Sequence, residues 1–173
     1  IVAYDSWALH ALIWLPLVGM GHVLWAPEDR AKHIALRWSL VVFVLSLGLW
    51  WAYDPSQGAG YQLASSDPWI TVWGVSYALG LDGISLFMVL LSTFTTPLAI
   101  LGSFNYIQER ARPFYALMLL LEVGVVGVFL ATDLFLFYVF FELTLVPMYF
   151  IVGIWGGERR IYAAVKFFLY TAF

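Results

Sequence analysis

The sequence contains no cysteine and few charged residues, and both shortages restrict what the protein can be. Of its 173 residues, 11% are charged and 63% are hydrophobic, whereas soluble domains carry about 25% charge. A soluble core of this length cannot bury so much apolar surface, so the chain is predicted to be an integral membrane protein. Without cysteine it supplies no disulfide, no thiolate-ligated iron–sulfur cluster and no covalently attached haem. A net charge of -3 does not indicate a nucleic-acid partner.

Long hydrophobic runs fill most of the chain. Five have about the 20 residues that a membrane-spanning helix needs. Hydrocarbon offers backbone groups no partner outside the segment, so each run is predicted to be helical, and a β-barrel would show shorter, alternating segments. The predicted fold is an all-α, polytopic transmembrane bundle, in which residues 1–173 are the N-terminal part of one transmembrane domain. The predicted helices are 6–25, 34–53, 83–104, 113–131, 133–155 and 161–173, with an outer loop at 54–82.

The ends of the sequence and the positions of its basic residues add two expectations. The chain begins at Ile1 and stops at Phe173 inside an apolar run, so we expect a fragment with five full helices and the start of a sixth. All lysines and arginines fall on one side of this topology, while the opposite loops carry only acidic charge, which places the N-terminus outside and the basic loops in the cytoplasm. The basic residues are Arg30, Lys32, Arg37, Arg110, Arg112, Arg159, Arg160 and Lys166.

The outer loop allows two interpretations. Residues 54–60 (DPSQGAG) are typical of a turn-rich linker, and residues 69–79 are either a short β-hairpin or an interfacial segment. Asp82 and Asp133 each precede a predicted helix and are expected to cap its N-terminus.

After the loop and cap residues are set aside, three side chains with a carboxyl or amino group remain inside the predicted helices. Glu142 lies near the middle of 133–155, Glu122 reaches a similar depth in 113–131, and Lys166 lies shallower, on the basic side. A charge at the membrane centre costs about 2.5–3.5 kcal/mol, so such groups are candidates for proton translocation. The alternatives are a structural, hydrogen-bonded role for each glutamate and a lysine that reaches back to the surface.

Two prolines accompany these residues. Pro147 follows Glu142 by five residues, and Pro97 lies in a helix rich in serine and threonine. Proline lacks an N–H, so each is predicted to kink its helix and to free a carbonyl acceptor. His10 and His22 are about 120° apart around one helix, which disfavours shared haem ligation, and no metal site is predicted.

Three stretches closely resemble the antiporter-like membrane subunit of proton-pumping NADH:quinone oxidoreductase, respiratory complex I, known as chain M in bacteria and subunit 4 in mitochondria. They are GLDGISLF (80–87), GVFLATDLFLFYVFFELTLVPMYFIVGIWGG (127–157) and RRIYAAVKFFLYTAF (159–173). The first 79 residues match only in their pattern of two helices and an outer loop. The WGGERR and KFFLYT forms favour a bacterial protein, and therefore the bacterial cytoplasmic membrane.

The resemblance implies a subunit of about fourteen helices with two inverted repeats and no redox centre. It implies that Glu142 is the family's essential glutamate, that its partner lysine lies beyond Phe173, and that Lys166 occupies a lysine position of the sixth helix. No cofactor is expected in this chain; NADH, FMN, iron–sulfur clusters and quinone are expected in other subunits. The expected partners are lipid and other membrane subunits of the complex, especially neighbouring antiporter-like subunits.

Three functions remain open at this point. The leading hypothesis is a proton-translocating subunit in which electron transfer elsewhere drives a buried Glu/Lys relay. A homologous subunit of a multi-subunit Na⁺/H⁺ antiporter or of a membrane-bound hydrogenase would share the same motif. A passive scaffold or pigment-binding protein leaves the mid-membrane carboxylates unexplained.

Overall fold

The computed structural model describes residues 2–173 and contains six α-helices and one β-hairpin. The first five helices are long and apolar enough to cross a membrane, which confirms the predicted five-span bundle. The helices are α1 (Val2–Trp25), α2 (Glu28–Ala52), α3 (Gly83–Gly102), α4 (Ala111–Leu130), α5 (Leu134–Trp155) and α6 (Arg160–Ala172). The strands are β1 (Gln62–Ile70) and β2 (Val75–Leu81).

The largest difference from the predicted bounds is at the start of α2, which begins at Glu28 rather than at residue 34. Its first two turns are polar and extend the helix beyond the apolar run. Pro27 stands just before the helix, and Glu28 and Asp29 lie in its first turn, where acidic side chains stabilise the positive helix end. Hydropathy therefore located the membrane-crossing part of α2 and missed its polar extension.

Helix α4 is the centre of the bundle and packs against α1, α2, α3 and α5. Two glycines bring it close to α5. A Cβ added at Gly127 would overlap the ring of Phe140, and one added at Gly124 would lie 2.7 Å from Cγ2 of Thr144. Small residues at this contact allow the two helices to approach closely, as is common between membrane helices.

The outer loop contains an antiparallel β-hairpin, so the hairpin interpretation is correct and the fold includes one strand pair beside its helices. The strands extend over 62–81, further than the predicted 69–79. A short 3₁₀ turn, Thr71–Trp73, connects them and ends at Gly74, whose φ of 68° is in the left-handed region that glycine adopts without steric cost.

The hairpin is fixed to two parts of the bundle. Towards α4 and α5, the Thr132 N–H donates to the Ala78 carbonyl at 2.9 Å. Towards α1, the Trp14 indole N–H donates to the Tyr77 hydroxyl at 2.9 Å, and His10 stacks on the Tyr77 ring. The hairpin thus joins α1 to the α4–α5 connection at the acidic end of the molecule.

Both predicted caps are confirmed. The Asp82 carboxylate accepts from the Ser85 N–H at 2.7 Å, while the Ser85 hydroxyl accepts from the Asp82 N–H at 2.8 Å, which forms a capping box on α3. Asp133 accepts from the N–H groups of Leu136 and Phe135 at the start of α5. These backbone hydrogen bonds lower the pKa of both carboxyls.

The opposite end of the bundle holds the basic residues and a set of polar contacts. Arg112, at the start of α4, pairs with Glu28, at the start of α2, with an N–O distance of 3.3 Å. The Trp155 indole N–H donates to the Glu109 carbonyl at 3.0 Å. The basic loops therefore share one end of the structure, opposite the hairpin.

Candidate functional site

The two intramembrane glutamates lie at the same depth. Glu122 precedes the last residue of α4 by eight positions, and Glu142 follows the first residue of α5 by eight positions. At about 1.5 Å per residue, each is about 12 Å from the turn that joins these antiparallel helices. Each is near the middle of its helix, so both belong to the central layer of the membrane.

They nevertheless point in different directions. Gly124 faces Thr144 of α5. Glu122 precedes Gly124 by two residues, which is about 200° around an α-helix, so it lies on the side of α4 away from α5. Equal depth therefore does not bring the two carboxyls into contact.

Glu122 lines a cavity of about 300 Å³ between α3 and α4. Its side chain is 2% exposed, and among residues 2–173 no donor hydrogen-bonds to either carboxyl oxygen. The polar residues that line the same cavity are Ser92, Thr95 and Thr96 of α3. The rest of the lining is apolar, and the cavity opens to the surface of the bundle, where Thr95 is exposed.

The residues that line this cavity recur in the sequence at the spacing of one helix face. Its α3 positions are 91, 92, 95, 96 and 99, and its α4 positions are 118, 121, 122 and 125. The α4 set and the α3 positions 92, 95, 96 and 99 follow the i, i+3, i+4, i+7 spacing of one helix face, and Leu91 borders that face. The serines and threonines near Pro97 were interpreted only as neighbours of a predicted helix kink. Their position opposite Glu122 of α4 was not predicted.

Glu142 is partly buried and does not line the Glu122 cavity. Tyr138 lies one turn earlier on α5. Pro147 lies further along α5, and Pro97 lies within α3; both helices continue through their prolines. Helix α1 contains a similar proline, Pro16, that the sequence analysis did not single out. The two proposed kinks stay predictions.

Lys166 is exposed on α6, with its Nζ 5.7 Å from the centroid of the Tyr162 ring. Helix α6 packs against α5, and Lys166 lies on the open side of that pair. The structure therefore places Glu122, Glu142 and Lys166 at three separate positions.

The histidines of α1 have ordinary structural partners. His10 shares a hydrogen bond of 3.0 Å with the Ser65 hydroxyl, and Nδ1 of His22 accepts from the Trp38 indole at 3.1 Å. Within residues 2–173, no three histidine or acidic side chains are grouped as metal ligands would be.

An apolar helix bundle with carboxyl groups in its central layer defines a polytopic membrane protein with ionisable groups at mid-membrane depth. Residues 12–128 match the family described as NADH-ubiquinone oxidoreductase chain 4, amino terminus. Residues 131–173 match the family described as NADH:quinone oxidoreductase/Mrp antiporter, TM. The chain belongs to the NADH-ubiquinone oxidoreductase chain 4 family, as its motifs predicted.

Similar proteins share these assignments. The chain is 46% identical over 146 residues to NADH-quinone oxidoreductase subunit M of Rhodobacter capsulatus, covering 84% of this chain and 28% of that protein. It is 42% identical to NAD(P)H-quinone oxidoreductase chain 4 3 of Picosynechococcus, covering 95% of this chain and 30% of that protein. The chain thus spans less than a third of the length of these two relatives.

Solved structures give the same fold. A chain of respiratory complex I from Thermus thermophilus is similar with a TM-score of 0.80 and 31% identity, over 95% of this chain and 32% of that chain. A chain of the Mrp complex from Dietzia has a TM-score of 0.76 and 19% identity, over 95% of this chain and 17% of that chain. At that identity the Mrp likeness shows the fold alone.

Proposed function

We propose that this chain forms part of a proton-translocating membrane subunit of NADH:quinone oxidoreductase. The observation that carries the proposal is Glu142, a carboxyl in the central layer of α5 within a chain of the chain 4 family. Burying a charge at that depth is costly, and intramembrane acidic residues typically mark ion pathways. A role in which Glu142 gains and loses a proton during turnover explains why a carboxyl is kept at this depth.

In this mechanism, electron transfer in other subunits alters the charge next to Glu142, and Glu142 exchanges a proton in response. A nearby positive charge favours the ionised carboxylate, and removing that charge favours proton uptake. Lys166, on the basic side, passes protons towards the relay, and Glu122 provides a second carboxyl at the same depth. The partner lysine of Glu142 is expected on a later helix of the subunit.

The charge distribution of the loops supports a proposal for the cellular arrangement. We place the subunit in the bacterial cytoplasmic membrane, with its basic loops in the cytoplasm and its N-terminus and hairpin outside. Its partners are lipid and other membrane subunits of the complex, including neighbouring antiporter-like subunits. NADH, FMN, iron–sulfur clusters and quinone are assigned to other subunits.

A subunit of a Na⁺/H⁺ antiporter is the second candidate, because the description that matches residues 131–173 covers Mrp antiporters as well. The relatives at 37–46% identity favour the first candidate, since their names are those of NADH-quinone and NAD(P)H-quinone oxidoreductase subunits. Affinity purification of the full-length subunit distinguishes the two by the subunits that accompany it.

The deciding experiment replaces Glu142 by glutamine in the complete complex. Glu142→Gln keeps the shape of the side chain and removes its titration. Proton uptake by inverted membrane vesicles and NADH oxidation are measured together, and assembly is checked by native gel. Glu158→Gln is the matched control, because Glu158 is exposed in the connection between α5 and α6.

We expect Glu142→Gln to abolish proton uptake and its coupled NADH oxidation in a fully assembled complex, while Glu158→Gln behaves as wild type. If Glu142→Gln pumps at the wild-type rate, the relay is wrong and Glu142 is a structural polar residue.

A further inference from the structure

The side of α2 that faces away from the bundle is basic at one end of the helix and apolar further along it. The buried side of α2 packs against α1, α3 and α4. Six exposed residues lie on the opposite side, within about 100° of one another around the helix, so they form one continuous stripe. This α2 stripe consists of Arg30, His33, Arg37, Leu40, Val41 and Val44.

The positive charge at the basic end of α2 is not balanced within the chain. Among residues 2–173, neither Arg30 nor Arg37 has an ion pair or a side-chain hydrogen bond. Lys32 is the third cation of α2 and lies beside the stripe. Of the two carboxylates of this helix, Glu28 is already paired with the start of α4, which leaves Asp29. Three cations therefore face one available carboxylate, and an added anion would be attracted to this surface.

Lys32 and His33 are held next to the two arginines by an aromatic ring from the end of α3. The Nζ of Lys32 lies 5.2 Å from the centroid of the Phe104 ring, and the His33 ring lies 5.3 Å from the same centroid. A cation over an aromatic face is electrostatically stabilised. The basic surface is thus fixed by a contact between two helices, as well as by its sequence.

Arg37 lies too deep in the membrane to be an ordinary loop cation. Trp51 follows it by 14 residues on α2, about 21 Å along the helix axis. Trp51 is 78% exposed and marks the opposite membrane interface, where tryptophan is enriched. Because hydrocarbon is about 30 Å thick, the backbone of Arg37 lies inside its edge on the basic side. A charge at that level is costly unless it reaches the headgroups or meets an anion.

We propose that the α2 stripe binds an anionic phospholipid from the leaflet at the basic end of the bundle. Side chains on a helix tilt towards its N-terminus, which for α2 is the basic end, so Arg37 leans towards the headgroups. Its guanidinium can donate two parallel hydrogen bonds to phosphate oxygens. Arg30, two turns nearer the water, attracts the rest of the headgroup.

The apolar half of the stripe accounts for the rest of the lipid. Leu40, Val41 and Val44 follow Arg37 towards the membrane centre, which is the direction in which acyl chains extend from a phosphate. The unbalanced cations favour a lipid with a net negative charge over a zwitterionic one, by about fivefold for each arginine.

The site adds a lipid class to the partners of the proposed function, and it rests on that function only for naming its leaflet as the cytoplasmic one. Lipid binding needs no turnover. It is therefore tested at equilibrium in the complete complex, where every other protein segment that could cover α2 is present.

The complex is reconstituted into vesicles of equal parts phosphatidylglycerol and phosphatidylcholine. One preparation contains a trace of phosphatidylglycerol with a photoreactive diazirine in its acyl chain, and the other a trace of phosphatidylcholine with the same chain. After illumination, adducts on chymotryptic peptides that contain Leu40, Val41 or Val44 are quantified by mass spectrometry. The measured quantity is the ratio of phosphatidylglycerol to phosphatidylcholine adducts.

Two variants remove one charge each from the stripe. We expect Arg37→Gln to lower the adduct ratio about fivefold, and Arg30→Gln to lower it in the same direction. Arg37→Lys, which keeps the charge, should retain most of the preference. Arg159→Gln is the matched control, because Arg159 is exposed at the same end of the structure but precedes α6. It should leave the ratio unchanged, and native gels check that each variant assembles.

Three results would overturn the proposal. Equal labelling of wild type by the two lipids would show that the stripe does not select negative charge. No labelling of these peptides would show that protein covers the stripe in the complete complex. A ratio that neither arginine variant lowers would exclude the arginines as the binding groups. None of these results depends on whether Glu142→Gln stops pumping, so the two proposals fail separately.

Discussion

The Ser46 and Thr93 hydroxyls form a hydrogen bond of 2.7 Å between α2 and α3, where both side chains are completely buried. Each hydroxyl also lies close to a carbonyl of its own helix, Phe43 at 2.6 Å for Ser46 and Val89 at 3.0 Å for Thr93. One hydroxyl can therefore donate across the interface while the other donates within its helix. The pair adds a directional polar contact to the packing of two apolar helices.

Removing this pair is expected to lower the free energy of unfolding by a small but measurable amount. Thr93→Val keeps the volume, and Ser46 still has the Phe43 carbonyl to bind, so the coupling between Ser46→Ala and Thr93→Val should be about 0.6 kcal/mol and at most about 1.7 kcal/mol. A double-mutant cycle on the free energy of unfolding of the full-length subunit measures it. Thr93→Val combined with Ser103→Ala, a serine that bonds within α3, should be additive. A coupling of zero for the first pair would contradict the interhelical bond.

The contact between Gly127 and Phe140 gives a second prediction. Gly127→Ala would place a Cβ against the Phe140 ring, and such overpacking costs about 1–3 kcal/mol. We expect a lower thermal midpoint and less assembled complex on native gels. Gly21→Ala on α1 is the control, because no atom lies within 4 Å of its added Cβ. Adding Phe140→Leu to Gly127→Ala should recover part of the loss; equal effects of the two glycine variants would refute the close approach.

The sequence predicted the membrane helices well because hydrocarbon requires both length and apolarity, and these are visible along the chain. It also predicted the caps at Asp82 and Asp133, since capping is local. The polar start of α2 was missed because a helix outside the membrane needs no apolar run. The attachment of the hairpin to α1 depends on His10, Trp14 and Tyr77 meeting across long sequence separations, which no local pattern indicates.

The sequence predicted how deep in the membrane Glu122 and Glu142 lie, but not which neighbouring helix each of them faces. The short connection between the predicted helices 113–131 and 133–155 was enough to put Glu122 and Glu142 at one level. The face that each occupies depends on which helices surround α4, and helix order in a bundle cannot be read from hydropathy. The packing of α3 against α4 turned Glu122 towards Thr95 and Thr96, so its surroundings emerged only from the structure.

The cap at Asp82 predicts a pH dependence of stability. The hydrogen bond from the Ser85 N–H lowers the pKa of Asp82 in the folded state, below the value of about 3.9 expected in the unfolded chain. A lowered carboxyl pKa adds stability that is complete above the unfolded pKa and is lost as pH falls through the folded pKa. Asp82→Ala should therefore lower the free energy of unfolding by about 1 kcal/mol at neutral pH.

This difference should shrink as pH falls below about 4. Thermal midpoints of wild type, Asp82→Ala and Asp82→Asn across this range measure it. Asparagine also caps helices, so Asp82→Asn should lose less stability and show less dependence on pH. A wild-type advantage over Asp82→Ala that stays constant down to the lowest pH would show that the carboxylate charge has no part in the cap.

The last prediction concerns orientation, and the absence of cysteine makes it direct to test. Thr71, in the hairpin turn, and Glu158, after α5, are both exposed and are separated by three membrane helices, so they lie on opposite sides of the membrane. In the complete complex, a membrane-impermeant maleimide should label Thr71→Cys in spheroplasts and Glu158→Cys in inverted vesicles, with the modified peptide identified by mass spectrometry. The reverse pattern would invert the orientation that the basic loops predict. Labelling of both positions from one side would be incompatible with three spans between them, and therefore with the helix count itself.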